Sequence, residues 1–366
     1  MSIRQVRSSP LLALPIEILL MIADILDTRD LGSFLRTARR YASILDSYLY
    51  QRARSHICAD ENSVLGWAAK RNQAPVIRKL LRKTSDAPIP LEAKSKALCL
   101  AAEAGMHCII ELLVDAGADL SSAIDMGRRS TCSALQLAAG NGHEVAACVL
   151  LGMGADINAT NSIQETALHY ASRGGQESVT RLLLEGGADV AILTIGRKTA
   201  LHYAVPFRNE AVVKLLLEKG VDIDAISSTG HTALLSVFDT ESSLSESILN
   251  LLLAKGANVT ISESSRHMAA LHFAAEDGNE WAVRSLLGNG ANVMDSDYLG
   301  YTALHMAAEC GNEAAVRILL DKGADVSAVA AEDEDETPRN LAECNGHDAI
   351  VRLLEEAATQ RLKNVA

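Results

Sequence analysis

Four histidines, His169, His202, His272 and His305, recur along the chain, each behind an Ala-Leu pair. Recurrent imidazoles can ligate metals or carry protons, so their neighbours decide what they do. No Cys or carboxylate stands at zinc-ligand spacing around them. The seven cysteines, Cys58, Cys99, Cys108, Cys132, Cys148, Cys310 and Cys344, are scattered, odd in number and free of any Cys-x-x-Cys pair. They read as reduced thiols, many of them small core residues, in a reducing compartment. The chain also lacks a Gly-x-x-x-x-Gly-Lys-Ser/Thr loop, a His-Glu-x-x-His pair and a Gly-x-Ser-x-Gly elbow. No catalytic residue, metal or cofactor is assigned, and the expectation is a protein without chemistry of its own. The imidazoles read instead as hydrogen-bonding ties between neighbouring structural units.

Those units are visible as repeats. Thr-Ala-Leu-His occurs at 166–169, 199–202 and 302–305, the first two copies starting 33 residues apart. Softer copies are Ser133-Ala134-Leu135-Gln136, Thr232-Ala233-Leu234-Leu235 and Ala269-Ala270-Leu271-His272. Alignment on the Leu gives Leu65, Leu98, Leu135, Leu168, Leu201, Leu234, Leu271 and Leu304, with Thr337-Pro338 opening a ninth copy in which Arg339 takes the Leu place.

Within a unit the Thr hydroxyl suits the N-cap of a first helix, where it accepts a backbone N–H. Ala pairs such as Ala138-Ala139 and Ala307-Ala308 let adjacent helices approach closely. A second helix carries Val212, Leu215 and Leu216, or Val316, Leu319 and Leu320, on one face. Gly117, Gly154, Gly187, Gly220, Gly256, Gly290 and Gly323 follow these second helices and suit left-handed caps.

This pattern of tetrapeptide, Ala pair, Gly turn, Val/Ile-x-x-Leu-Leu run and Gly-Ala-Asp resembles the ankyrin repeat. The resemblance implies an all-α helical repeat solenoid with hairpin-like finger loops and a protein-binding face formed by fingers and first helices. It covers about nine repeats over 59–358, degenerate at both ends, followed by a C-terminal tail at 359–366.

The repetition lapses in two places. Leu234 to Gly256 spans 22 residues where other copies span 19, which places three added residues around Thr240 to Glu246. Leu98 to Leu135 spans 37 residues rather than 33, lengthening a finger around Arg128 and Arg129. Arg197-Lys198 in a nearby finger, and Arg173, Phe207 and Arg208 at first-helix ends, extend a candidate client-binding surface through the middle repeats. Tyr298 and Tyr301, in a later finger beside the acidic ends Glu276, Asp277 and Glu309, complete it.

The first 58 residues fall outside the repeat. Residues 1–10 read as a disordered start. Residues 11–58 contain three amphipathic helical stretches, opened by Leu14-Pro15-Ile16-Glu17-Ile18, with Ile22, Leu26, Asp30-Leu31 and the basic pair Arg39-Arg40 beyond. The block resembles the F-box, although Tyr41 stands where the usual Trp would be and Thr37-Ala38 replace a common Val-Ser. The resemblance implies docking of a Skp-family linker of a cullin ubiquitin ligase through Leu14, Pro15, Ile18, Ile22, Leu26 and Leu31. The alternative is a helical cap on a repeat scaffold or inhibitor with no ligase connection.

Charge narrows the partners. Residues 1–58 carry eight Lys/Arg and five Asp/Glu, whereas the remainder carries 26 and 41. An acidic array repels phosphate backbones, which argues against nucleic acid. The apolar stretch Leu11 to Leu26 is interrupted by Pro15, Glu17 and Asp24 and is too short for a membrane span. The expected setting is cytoplasm or nucleus, and the expected partners are a linker protein and an unidentified client protein.

Overall fold

The computed structural model describes residues 64–82, 89–125, 131–238, 245–330 and 336–365. The F-box-like residues Leu14, Pro15, Ile18, Ile22, Leu26 and Leu31, the finger residues Arg128 and Arg129, and most of the insertion after Phe238 lie outside the described residues. Two compact units are present, one within Met1–Ser122 and one within Ala123–Ala366.

The first unit contains α1 (Val64–Lys70), α2 (Ala74–Arg82), α3 (Leu91–Glu103) and α4 (His107–Asp115), with α1 packed on α3 and α2 on α4. The second opens with a two-stranded antiparallel hairpin, β1 (Ala123–Asp125) and β2 (Thr131–Ser133), pairing Ile124 with Cys132. Helix pairs follow: α5 (Ala134–Gly140) with α6 (Glu144–Gly152), α7 (Ala167–Gly174) with α8 (Glu177–Glu185), and α9 (Ala200–Ala204) with α10 (Glu210–Glu218). After a 3-10 turn at Leu235–Val237 come α11 (Glu246–Ala254), α12 (Ala270–Glu276), α13 (Glu280–Gly288), α14 (Ala303–Glu309), α15 (Glu313–Asp321), α16 (Pro338–Cys344) and α17 (Asp348–Val365). The helical repeat architecture read from the tetrapeptides is the one present. Residues 359–365, set apart in the sequence as a tail, continue α17, and Arg361 reaches back to Asp325 at 3.4 Å.

The core runs through each helix pair. Leu168, Leu201, Leu271 and Leu304 of the tetrapeptides are buried, as are Val212, Leu216, Val316 and Leu319 of the second helices. Each such side chain contributes about 1.5–3 kcal/mol relative to an exposed position. Ala138, Ala139, Ala307 and Ala308 are fully buried. A larger side chain there would force the helices apart. The six glycines that follow second helices between Gly154 and Gly323 have φ between 78° and 94°, the left-handed region that lets the chain turn into the finger.

The second helices carry a further device that the sequence reading passed over. Glu177, Glu280 and Glu313 open their helices and bind Arg181, Arg284 and Arg317 one turn on, at 2.9, 2.9 and 2.6 Å. The carboxylate also faces the positive end of the helix dipole. Each exposed pair adds a few tenths of a kcal/mol to its helix, about 0.3–0.5.

Cysteine is where the composition misleads. Cys99 and Cys132 are buried, but Cys108, Cys148, Cys310 and Cys344 are exposed. Among the described residues two of the six cysteines are in the core, so the expectation that many of them are small core residues is corrected for these four.

Neighbouring repeats are also tied at their turns. In four repeats the residue before the second helix donates an amide or ring N–H to carbonyls at the turn of the preceding repeat. Gln176 Nε2 reaches Gly140 O at 3.3 Å, Asn209 Nδ2 reaches Ser172 O at 2.9 Å, Asn312 Nδ2 reaches Ala275 O at 2.8 Å, and His347 Nε2 reaches Glu309 O at 3.0 Å. These side chains sit directly on turn glycines: a Cβ at Gly175 would lie 2.4 Å from Asn209 Oδ1, and one at Gly278 would lie 2.4 Å from Asn312 Oδ1.

Candidate binding surface

The tetrapeptide histidines are structural in a more specific way than their spacing implies. In the Thr166, Thr199 and Thr302 copies the ring Nδ1 accepts the backbone N–H of the N-cap Thr at 3.1, 3.2 and 3.0 Å. The Thr hydroxyl lies 2.9 Å from the same nitrogen. The capping box therefore uses His at the third helical position, where Glu or Gln is the common choice. An Nδ1 that accepts must be unprotonated, which fixes the neutral tautomer with the proton on Nε2.

Two rings complete the inter-repeat tie expected from the sequence: His202 Nε2 donates to His231 O at 3.0 Å and His272 Nε2 to Asp295 O at 3.1 Å. In His169 and His305 the Nε2 atom is buried and makes no such bond among the described residues; the His169 ring instead packs edge-on against Tyr203 of the next repeat, its centroid 5.6 Å away. Burial pushes all four below the ordinary histidine range, and His169 falls to about 4.

Arg173 is placed differently from the sequence expectation. Its guanidinium binds the carboxylate of Glu165, a side chain only 1% exposed. It also lies over the Tyr203 ring at 4.5 Å and the Tyr170 ring at 5.5 Å. Glu165 is held from its other side by Asn161 Nδ2 at 3.4 Å, and the same amide donates to Tyr170 Oη at 3.1 Å. Arg173 is thus committed to an internal carboxylate and two aromatic faces, and it is not a spare cation for a partner. Burial raises the Tyr203 phenol, and the nearby Glu165 charge adds to that shift.

Arg197 and Lys198 remain available. Neither makes an ion pair among the described residues; the Lys198 ammonium lies over the Tyr203 ring, 6.0 Å from its centroid. Arg197 is exposed at a finger tip with φ 54°, where Gly230 and Gly300 stand in sister fingers. Arg208 has φ 60° at the turn between helices, where Gly175, Gly278 and Gly311 stand in other repeats. A non-Gly residue in that region costs about 1 kcal/mol. Repeat five therefore holds two arginines in left-handed positions; the finger position is glycine in two sister repeats and Gln164 or His267 in two others, and the turn position is glycine in most of them. Beside them Phe207 is 57% exposed and Ile195 62% exposed. Arg197 also borders a cleft of about 440 Å³ shared with Leu193, Ile226, Asp222 and Asp224, so that cleft carries both signs of charge.

The later repeats differ. Tyr298 is 55% exposed, and its backbone N–H donates to Arg266 O of the preceding finger at 3.0 Å. Tyr301 is turned inward instead: its hydroxyl donates to Glu336, and that bond pushes the phenol up to about 12. Of the two tyrosines, Tyr298 alone presents an open ring. Burial and the neighbouring Glu276 raise the Asp277 carboxyl, and burial with Glu276, Glu309 and Asp277 keeps the Cys310 thiol protonated. The two ends of the surface thus have opposite character.

Among the described residues no three His, Cys, Asp or Glu side chains form a group that could hold a metal ion. No helix described is long and apolar enough to cross a membrane.

Comparison with known proteins agrees with the geometry. The family model described as ankyrin repeats, three copies to the model, matches residues 65–161, 135–227, 240–330 and 271–364. No curated protein matches the chain. Ankyrin repeats bind protein partners, and a protein-binding role follows for an array of this length. With capped helix pairs, left-handed turns and fingers recurring across most of its length, the chain belongs to the ankyrin-repeat family.

Proposed function

We propose that this chain is a non-catalytic adaptor, a substrate receptor of an SCF-type cullin ubiquitin ligase. Its F-box-like segment would dock a Skp-family linker, and its repeats would hold a client protein. The observation that carries the ligase half is the sequence block Leu14-Pro15-Ile16-Glu17-Ile18 with Ile22, Leu26 and Asp30-Leu31. A solenoid cap needs apolar residues on one face but has no need of that particular Pro, Glu and Asp-Leu arrangement. The client half is supported by repeat five, where Arg197, Lys198, Phe207 and Arg208 put cations and an open aromatic ring at the finger and turn of one unit. Arg128 and Arg129, in the lengthened finger, add to this surface on sequence grounds. Tyr298 supplies a second contact further along. The setting for such an adaptor is cytoplasm or nucleus.

A second reading, an ankyrin scaffold or inhibitor whose first helices only cap the array, is favoured by the block's position directly before residue 65, where the repeat match begins. Pull-down of a purified Skp-family protein by the full chain separates the two. Wild type should retain the linker, and the Leu14→Ala/Pro15→Ala variant should lose it while its circular dichroism is unchanged. Failure of a folded wild-type chain to retain any Skp-family protein removes the ligase reading and leaves the scaffold.

A further inference from the structure

Between repeat three and repeat nine the side-chain ties at the helix turns lapse at one place, repeat six, which keeps its finger bond from His202 to His231 O, and the lapse has several independent parts. At the third helical position of repeat six, Leu235 replaces the His or Gln of its neighbours, and Leu offers no acceptor to the N-cap N–H. What remains of the cap is a single bond, Leu235 N to Thr232 Oγ1 at 3.3 Å. The first helix there shrinks to the 3-10 turn Leu235–Val237, and Ser236 Oγ bonds back to Thr232 O at 3.1 Å. Short 3-10 segments have poorer hydrogen-bond geometry and mark points where a helical array yields.

The turn ties fail on both sides of the same repeat. On the preceding side, Arg208 stands where Gly142, Gly175, Gly278 and Gly311 each receive the side chain of the next repeat. A Cβ at those glycines would come within 2.2–2.6 Å of the seated group, so the Cβ of Arg208 excludes such seating. The facing residue is Ser245, whose hydroxyl meets only Ser247 at 3.4 Å among the described residues. On the following side, Asn279 turns its side-chain oxygen to its own helix, accepting Ala282 N at 2.9 Å, and sends no bond back among the described residues. Repeats three to five and seven to nine keep their ties; repeat six has neither.

In a repeat array, stability is close to a sum of unit terms and nearest-neighbour terms. Weakening one unit and both of its interfaces creates a local minimum in protection. We infer that repeat six is a built-in seam, the place where the array opens first and which divides it into two cooperative blocks, residues 134–228 and 262–365. The two ends of the binding surface, cationic and aromatic at repeat five and acidic at repeats seven and eight, lie on opposite sides of this seam. A seam there lets each block adjust to its own part of a partner at small cost.

The test is hydrogen exchange of the full chain read by mass spectrometry under native conditions. Peptides covering α11 should exchange at least tenfold faster than those covering α8 and α15. The double variant Arg208→Gly/Ser245→Asn restores the glycine and the amide of a tied turn, and should slow α11 exchange threefold or more. Conversely, Asn312→Ala removes a tie and should speed α15 exchange threefold or more, the loss of a net hydrogen bond between neighbouring repeats. Should the double variant fail to fold, Asn312→Ala still decides whether the turn bond couples repeats. Exchange of α11 within twofold of α8 and α15, or an Asn312→Ala chain with unchanged α15 exchange, overturns the inference.

Discussion

Acid should weaken this array through its buried imidazoles, and His169 allows the size of the effect to be worked out. Burial holds its pKa at about 4, against about 6.5 in an unfolded chain. Between those values the unfolded state binds the proton and the folded state does not, so stability falls as pH falls. The contribution is fully present above pH 6.5, declines through the interval, and levels off below about 4. Linkage over that window puts the loss between pH 7 and pH 5 at about 2 kcal/mol from His169 alone. His202, His272 and His305 are shifted in the same direction and add to it.

The molecule itself supplies the control. At the equivalent position Gln136 closes the same capping box, with Oε1 accepting Ser133 N at 2.9 Å and Nε2 donating to Glu165 O at 2.8 Å. His169→Gln should therefore keep the cap and lose the titration. Urea midpoints followed by circular dichroism at pH 7, 6 and 5 should fall steeply for wild type and less steeply for the variant. Equal pH dependence in the two chains would refute the assignment of acid sensitivity to the buried ring.

Other substitutions test other parts of the account. Arg173→Met should cost about 3 kcal/mol in urea unfolding, because it leaves the Glu165 carboxylate buried and unpaired. Adding Glu165→Gln should recover much of that loss, and no recovery would mean that the cost came from lost ring packing. Gly175→Ala should destabilise by more than about 1 kcal/mol, since its φ is 68° and its Cβ would strike Asn209. A drop in melting temperature smaller than that of a surface Ala control would contradict the seating. Arg197→Glu with Phe207→Ala should leave the melting temperature within a degree or two and reduce client capture at least tenfold; unchanged capture would move the client surface elsewhere.

How much of this could be read from sequence depends on whether an interaction is local. The cap, the Ala pair and the left-handed glycine each concern residues a few positions apart, and each recurs, so Thr166-Ala167-Leu168-His169 announces its own helix. The pairing of Arg173 with Glu165 is also near in sequence, but Glu165 occupies a place where other fingers have Lys198, His231 or Tyr301. With no recurrence to mark it, Arg173 reads as one more surface cation. The turn ties escaped for the opposite reason: Gln176, Asn209, Asn312 and His347 differ in type, and only their seating on a bare glycine of the preceding repeat shows a common role. Tyr301 looks like its neighbour Tyr298 in sequence and differs because Glu336 of the next finger captures its hydroxyl.

The central claim is that one chain joins a client to a ligase linker, and proximity labelling in the native cell tests it most directly. The intact chain should label a Skp-family protein and a cullin together with its clients, and a chain lacking residues 1–58 should lose the first two and keep the clients. Labelling of the same clients by both chains, with no Skp-family protein or cullin in either, would contradict the adaptor account and leave a repeat scaffold.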